Sequence, residues 1–200
     1  MRIVAISDTH GRHDVLNLPP GDVLVHAGDF TGRGTPWEII EFARWLHARP
    51  FAHRVVVAGN HDRLFESDPG LAQSLLREHC PGVVYLQDDG AVVGGLTFWG
   101  SPWQPRFMDW AFNLERGPEL ARVWARVPDG VDVLVTHGPP QGVLDRTRHG
   151  LNVGCEELAA ALVRIAPKVH IFGHIHEGSG EQKQAGVHFV NACILDALYQ

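Results

Sequence analysis

Five short runs of aliphatic and β-branched residues, nearly continuous in their apolar character, constrain the fold of this chain most. They are "RIVAIS" from Arg2, "DVLVHAG" from Asp22, "RVVVAGN" from Arg54, "VDVLVTHG" from Val131 and "KVHIFGHIH" from Lys168. A strand with one wet face alternates apolar and polar residues, whereas a strand covered on both faces reads as these do. Helical patterns lie between several of them. The clearest opens at "TPWE", where Thr35 can cap, Pro36 suits the first helical position and Glu38 completes a capping box. Its apolar stripe is Ile39, Phe42, Ala43 and Leu46. Pro69 to Cys80, Pro118 to Val127 and Cys155 to Ile165 read as further helices. Strands alternating with helices predict an α/β fold, and 200 residues with 44% hydrophobic content can bury the core of one domain over 1–200.

Elsewhere the pattern changes. "VVYL", "AVV" and "LTFWG" are separated by "QDDG" and "GG", which reads as an antiparallel region. "EGSGEQKQAG" reads as a Gly-rich turn before a last run, "VHFVNACILDAL" from Val187, expected to pair with its neighbour. The segment 101–117, "SPWQPRFMDWAFNLERG", fits no element. Its Trp103, Phe107, Trp110 and Phe112 make it either a loop packed down by aromatics or a wall over a pocket.

Polar residues gather where the apolar runs stop. Asp8 and His10 follow the first, Asp29 the second, Asn60 and His61 the third, His137 the fourth, and His174 and His176 the fifth. Open α/β sheets bind ligands just beyond the carboxyl ends of their strands, so these side chains can meet in one crevice. Singly, each has a dull explanation in turn chemistry; five strand ends together do not. Two carboxylates, one amide and five imidazoles exceed the four ligands of a closed zinc site, but two ions sharing a carboxylate would use them. Oxygen and nitrogen donors without a thiolate favour Mn²⁺, with Fe or Zn²⁺ as alternatives. If the last strand continued through His174 and His176, both imidazoles would leave one face, and Gly173 would admit a close backbone approach.

The remaining composition narrows the partners. A net charge of -6, with basic residues scattered along the chain, argues against a long nucleic-acid duplex; a small anion is compatible where a metal supplies local positive charge. Cys80, Cys155 and Cys193 show no C-x-x-C spacing and read as buried apolar residues of a reducing compartment. The first apolar run is too short for a signal peptide, and no run approaches the roughly 20 apolar residues of a membrane span. A cytoplasmic location without a membrane partner is expected. Phosphate-loop, dinucleotide and serine-hydrolase motifs are missing.

In order, "SDTH", "AGDF", "GNHD", "VTHG" and "GHIH" resemble the five signature blocks of the calcineurin-like metallophosphoesterases. With "HAGDFT", "VVAGNHD", "YLQDDG", "FNLERG" and "VTHGPP", the chain resembles more narrowly the class III cyclic-nucleotide-phosphodiesterase-like branch, which includes vertebrate metallophosphoesterase-domain-containing proteins. The resemblance implies a four-layer sandwich of two mixed β-sheets flanked by helices, with two divalent ions at its rim. It implies Asp8, His10, Asp29 and His176 around one ion, and Asp29, Asn60, His137 and His174 around the other, Asp29 bridging. A hydroxide between the ions would attack phosphorus in line. Gly32 stands where many family members carry an acidic residue, so no role is carried onto it; the first histidine of the final pair, which some members of the branch lack, is kept as His174.

His61, beside a ligand, is the candidate catalytic residue to protonate the leaving alkoxide, against a supporting role next to the metals. Asp62 either orients His61 or caps the turn. Arg12, Arg33, Trp103 and Asn113 are candidate substrate-binding residues, and His26 and His170 read as packed in strands. The expected activity is hydrolysis of small phosphodiesters or nucleotides, cyclic nucleotides among them. The alternatives are a phosphomonoesterase on the same centre or a non-catalytic scaffold, and an oligomer is compatible with either.

Overall fold

The computed structural model describes residues 1–196 and 198. The first three apolar runs become β1 (Ile3–Ile6), β2 (Val23–His26) and β3 (His53–Val56), which with β4 (Val84–Tyr85) form a parallel sheet of order β1-β2-β3-β4. β5 (Asp89–Val93) and β6 (Leu96–Ser101) form the expected hairpin. β7 (Gln104–Pro105) and β8 (Asn113–Leu114) pair as a small ribbon inside the aromatic segment. β9 (Val133–Thr136), β10 (Val169–Phe172), β11 (Gly180–Gln184) and β12 (Val187–Asn191) join the hairpin in a six-stranded sheet of order β11-β12-β10-β9-β6-β5. This second sheet is mixed; all the antiparallel pairing between the two sheets' strands lies in it.

The apolar runs are continuous because both faces of their strands are covered. Leu24 of β2 joins the core made with α1 (Pro36–His47), α2 (Leu64–Ser67) and α3 (Pro69–His79), whereas Val23 and Val25 join the core between the sheets. In β9 the same division holds. Leu134 packs with α4 (Pro118–Ala125) and α5 (Glu156–Ile165), and Val133 and Val135 face the other sheet. The layers are therefore helices, parallel sheet, mixed sheet, helices. The capping box of α1 forms as read, with Thr35 Oγ1 accepting from the Glu38 N–H at 3.3 Å and Glu38 Oε2 from the Thr35 N–H at 2.9 Å. Cys80, Cys155 and Cys193 are free and buried. No described helix is long and apolar enough to cross a membrane.

Three local expectations need correction. "VVYL" supplies β4 to the parallel sheet, not a strand of the antiparallel region. "GEQKQ", read as turn, is the edge strand β11, whose polar residues carry no apolar alternation because neither face is covered. It closes onto β12 through left-handed Ala185 (φ 50) and Gly186 (φ 82), the geometry of a tight hairpin. β10 stops at Phe172, so His174 and His176 lie in the following turn and their spacing does not act through strand periodicity.

His26 and His170 are fully buried on the helix-covered faces, with Nε2 3.0 Å from Thr9 Oγ1 and 2.8 Å from Thr136 Oγ1 respectively. Burial pushes both down to about 3, so they stay neutral in the fold. The unfolded chain takes up these protons near pH 6.5, so this stability is full above that pH and is lost as pH falls toward 3. At pH 4.5 the loss is roughly 2–3 kcal/mol per ring. Urea denaturation of metal-free protein should show it, and His170→Gln should flatten the profile; an unchanged midpoint from pH 7 to 4.5 would contradict neutral burial.

Candidate metal centre

The carboxyl ends of both sheets meet at one rim, where Ser7 after β1 bridges to Cys193 after β12. The loops there are tied to one another: the Asp8 N–H donates to Gly28 O, the His10 N–H to Asp29 O and the Gly173 N–H to His137 O, at 2.8 to 2.9 Å. Asp8 (φ 56), His10 (φ 43), Asp29 (φ 56) and His174 (φ 69) all adopt left-handed backbone. Such conformations cost about 1–3 kcal/mol each and persist only where surroundings enforce them. Two glycines make room. A Cβ on Gly59 would overlap the Asp29 carboxylate, and one on Gly173 the Asp8 carboxylate and the Ser7 hydroxyl.

Asp62 enforces the Asp29 turn. Buried, it accepts from the N–H groups of Asp29 (2.8 Å), Gly59 (2.8 Å) and Thr31 (2.9 Å) and from Thr31 Oγ1 (2.7 Å). Of the two roles considered for it, Asp62 caps; the His61 ring is held by Gly32 O, 2.8 Å from Nδ1.

Five of the eight side chains at the strand ends crowd around the two carboxylates, Asp8 and Asp29. Asp8 Oδ1 lies 3.5 Å from His176 Nε2 and 4.0 Å from His10 Nε2. Asp29 Oδ2 lies 3.5 Å from His137 Nε2 and 3.9 Å from both His10 Nε2 and His61 Nε2. Asn60 Oδ1 is 2.9 Å from His137 Nε2. Donor atoms fall into three tight groups: Asp8, His10 and His176; Asp8, Asp29 and His137; and His10, Asp29 and His61. His174 is outside these groups. Its ring stands 5.0 Å from that of His137, and its N–H donates to Asp8 Oδ2 at 2.9 Å.

Hydrogen bonds prepare the imidazoles for a cation. His137 Nδ1 is 2.9 Å from Ala27 O and His176 Nδ1 2.9 Å from Leu195 O; a carbonyl only accepts, so Nδ1 carries the proton and Nε2 faces the carboxylates. The protons reflect the same demand. Burial opposes charge on His137, yet the Asp29 carboxylate outweighs it and lifts His137 to about 9. Burial alone would raise Asp8, but the His176 imidazole 3.5 Å from Oδ1, with the charges of His137 and His10, holds it well below the usual carboxylate range. His174 is pushed down to about 4 by burial and by His137. Without other cations, protons on His137 balance the carboxylates, and divalent ions would displace them. The residues fit such ions: Asp8 Oδ1 is buried with no hydrogen-bond donor among the described residues, and every side chain offered is an oxygen or nitrogen donor.

In front of this cluster is a cavity of about 510 Å³, reached by His10, Asp29, Asn60, His61, His174 and His176. The aromatic segment serves both purposes considered for it. Trp103 and Phe112 pack against the helix-side cores, while Phe107 lines the cavity with its ring edge on His174. Trp110 lies on His61, ring centroids 3.8 Å apart, with the Arg63 guanidinium 4.9 Å from the indole.

None of the four candidate substrate residues reaches this cavity. Arg12 is exposed, Arg33 lines a separate cleft with Arg63 and Trp110, and Trp103 donates from Nε1 to Asp88. Asn113 braces the loop instead, accepting from the Phe107 N–H and donating to Met108 O. The cavity's arginines are Arg106, Arg116 and Arg148. Sequence reasoning also missed Gln104, whose Nε2 donates to Asn60 Oδ1 at 3.2 Å and turns the amide oxygen toward His137. Only its place in the unassigned segment 101–117 hinted at it.

A model of the family described as calcineurin-like phosphoesterase matches residues 1–178. The human metallophosphoesterase domain-containing protein 1 is 42% identical over all of this chain and 68% of its own length. The Caenorhabditis elegans UPF0046 protein T07D4.2 is 40% identical over 97% of this chain and 56% of its own length. Among solved structures, a phosphopantetheinyl hydrolase from Mycobacterium tuberculosis matches with a TM-score of 0.60 at 20% identity, covering 99% of this chain and 90% of that one. At that identity the likeness concerns the fold.

Proposed function

Because this chain belongs to the calcineurin-like phosphoesterase family, we propose that it is a phosphodiesterase that hydrolyses small phosphodiesters, cyclic nucleotides among them, with a pair of divalent ions, Mn²⁺ first. The observation that carries this reading is the buried pair of carboxylates, Asp8 and Asp29, faced by the Nε2 atoms of His137 and His176, whose Nδ1 atoms are held by backbone carbonyls. Asp8, His10, Asp29 and His176 would hold one ion and Asp29, Asn60, His137 and His174 the other. Bound there, the ions would supply Lewis acidity toward the phosphoryl oxygens and acidify a water nucleophile.

The chain's own residues do the rest. His61, with Nδ1 anchored on Gly32 O, presents Nε2 on the Asp29 side of the cavity and delivers a proton to the leaving alkoxide. Trp110 on its face restricts the ring to that orientation. The cavity volume and its Phe107 wall suit an ester with organic groups on the phosphate better than bare phosphate.

Metal analysis of purified protein, with rates on bis(p-nitrophenyl) phosphate, p-nitrophenyl phosphate and cyclic nucleotides, tests this reading. Diester hydrolysis dependent on added Mn²⁺ is expected; a metal-replete protein that cleaves only monoesters, or no ester, would refute it. His61→Ala should keep its metals, lose roughly 10²–10³-fold on cyclic nucleotides and lose less than about tenfold on nitrophenyl esters, whose leaving group needs little protonation. Equal losses on both would remove the general-acid role.

A further inference from the structure

We propose that the outer half of the cavity is a second anion subsite built around Arg148 and Arg106, so that the preferred substrates are phosphodiesters carrying a further phosphate group. This rests on the phosphodiesterase reading for the inner half only. The chain is acidic, with 23 Asp and Glu against 17 Lys and Arg. Nevertheless Arg106, Arg116 and Arg148 all line the one cavity that holds the histidine cluster, and Asp29 and Glu177 are its only lining carboxylates among the described residues. Asp29 belongs to the candidate metal centre, and one Glu177 oxygen is already engaged, accepting from the Arg148 N–H at 3.1 Å.

The three guanidinium groups differ in what occupies them. Arg116 is pinned, donating to Gly154 O and Val153 O at 2.8 Å each, and acts as a fixed positive charge. Arg106 donates from Nε to Glu115, outside the cavity lining. Arg148 contacts His149 Nε2 from Nε at 3.3 Å, and no acceptor among the described residues meets its terminal nitrogens. Divalent ions held by the cluster would neutralise a scissile diester, which carries one negative charge. Arg116 and Arg148 add positive charge beyond that need, and Arg106, ion-paired with Glu115 through Nε, presents terminal nitrogens that no acceptor among the described residues meets; such planar donors bind a second oxyanion in a fork. Half-exposed Phe107 and exposed Leu151 also line the cavity and offer apolar surface for the organic body linking the anions.

Calorimetric titration of Mn²⁺-loaded protein with 5′-AMP and with adenosine 3′,5′-bisphosphate tests the subsite. The bisphosphate should bind roughly tenfold tighter in the wild type, and that ratio should fall below about two in Arg148→Gln. A ratio near one in the wild type, or one preserved in both Arg148→Gln and Arg106→Gln, would overturn the proposal. The wild-type comparison stands even if a variant misfolds. Hydrolysis assays on the same preparation separate the two readings: a tenfold binding ratio without turnover of any ester supports the subsite and defeats the phosphodiesterase.

Discussion

Replacing Asp29 by Asn is expected to lower turnover by roughly 10³-fold or more and to release bound metal while leaving the fold intact. The side chain keeps its shape, so Oδ1 can still accept the His61 N–H, now at 2.7 Å. What disappears is the charged oxygen Oδ2, the atom that faces His10, His61 and His137 together. An amide NH₂ in its place can accept nothing and would point a proton at imidazole nitrogens meant for a cation. Asp8 sits at the other end of the cluster and cannot substitute, since its Oδ2 is already taken by the His174 N–H and the Cys193 thiol. Metal analysis and steady-state rates on a Mn²⁺-saturated sample check this. Two equivalents of metal with activity within tenfold of wild type would show that Asp29 is not shared between ions.

Asp62→Ala should produce the largest loss of stability, about 3–5 kcal/mol, or roughly 10 °C in the thermal midpoint of a chain this size. Its carboxylate is the acceptor for four donors inside the protein, from Asp29, Thr31 and Gly59. Alanine leaves the three N–H groups with no partner and Thr31 Oγ1 with only its longer contact to His61 O at 3.2 Å. Asp29 would then lose the restraint on its left-handed backbone, and activity should fall with stability. Asp62→Asn, which keeps one acceptor oxygen, should recover part of both. A midpoint within 2 °C of wild type for Asp62→Ala would mean that the turn holds itself.

Much of this fold was legible because its signals are local. Thr35, Pro36 and Glu38 announce α1 within four residues, and runs such as "DVLV" advertise a strand covered on both sides. The polar residues at strand ends were legible for a related reason, since a parallel sheet gathers its carboxyl ends at one rim. What escaped depends on contacts between distant positions. Gln104 acts on Asn60 across 44 residues, and the His174 N–H reaches Asp8 across 166. The arginines that line the cavity were hidden for the same reason. Arg12 and Arg33 neighbour the ligand blocks in sequence, but the loop 147–151 and the segment 101–117 fold over the cavity and bring Arg148 and Arg106 instead. The paired histidines are placed by a turn after Phe172 where a continuing strand was expected, and only His176 joins the tight donor groups.

The most direct test of the centre is an anomalous-difference map from crystals soaked in Mn²⁺. Two peaks are expected on opposite sides of the Asp29 carboxylate, one toward Asp8, His10 and His176, the other toward Asn60, His137 and His174. A single peak, or peaks away from Asp8 and Asp29, would contradict a shared dinuclear site.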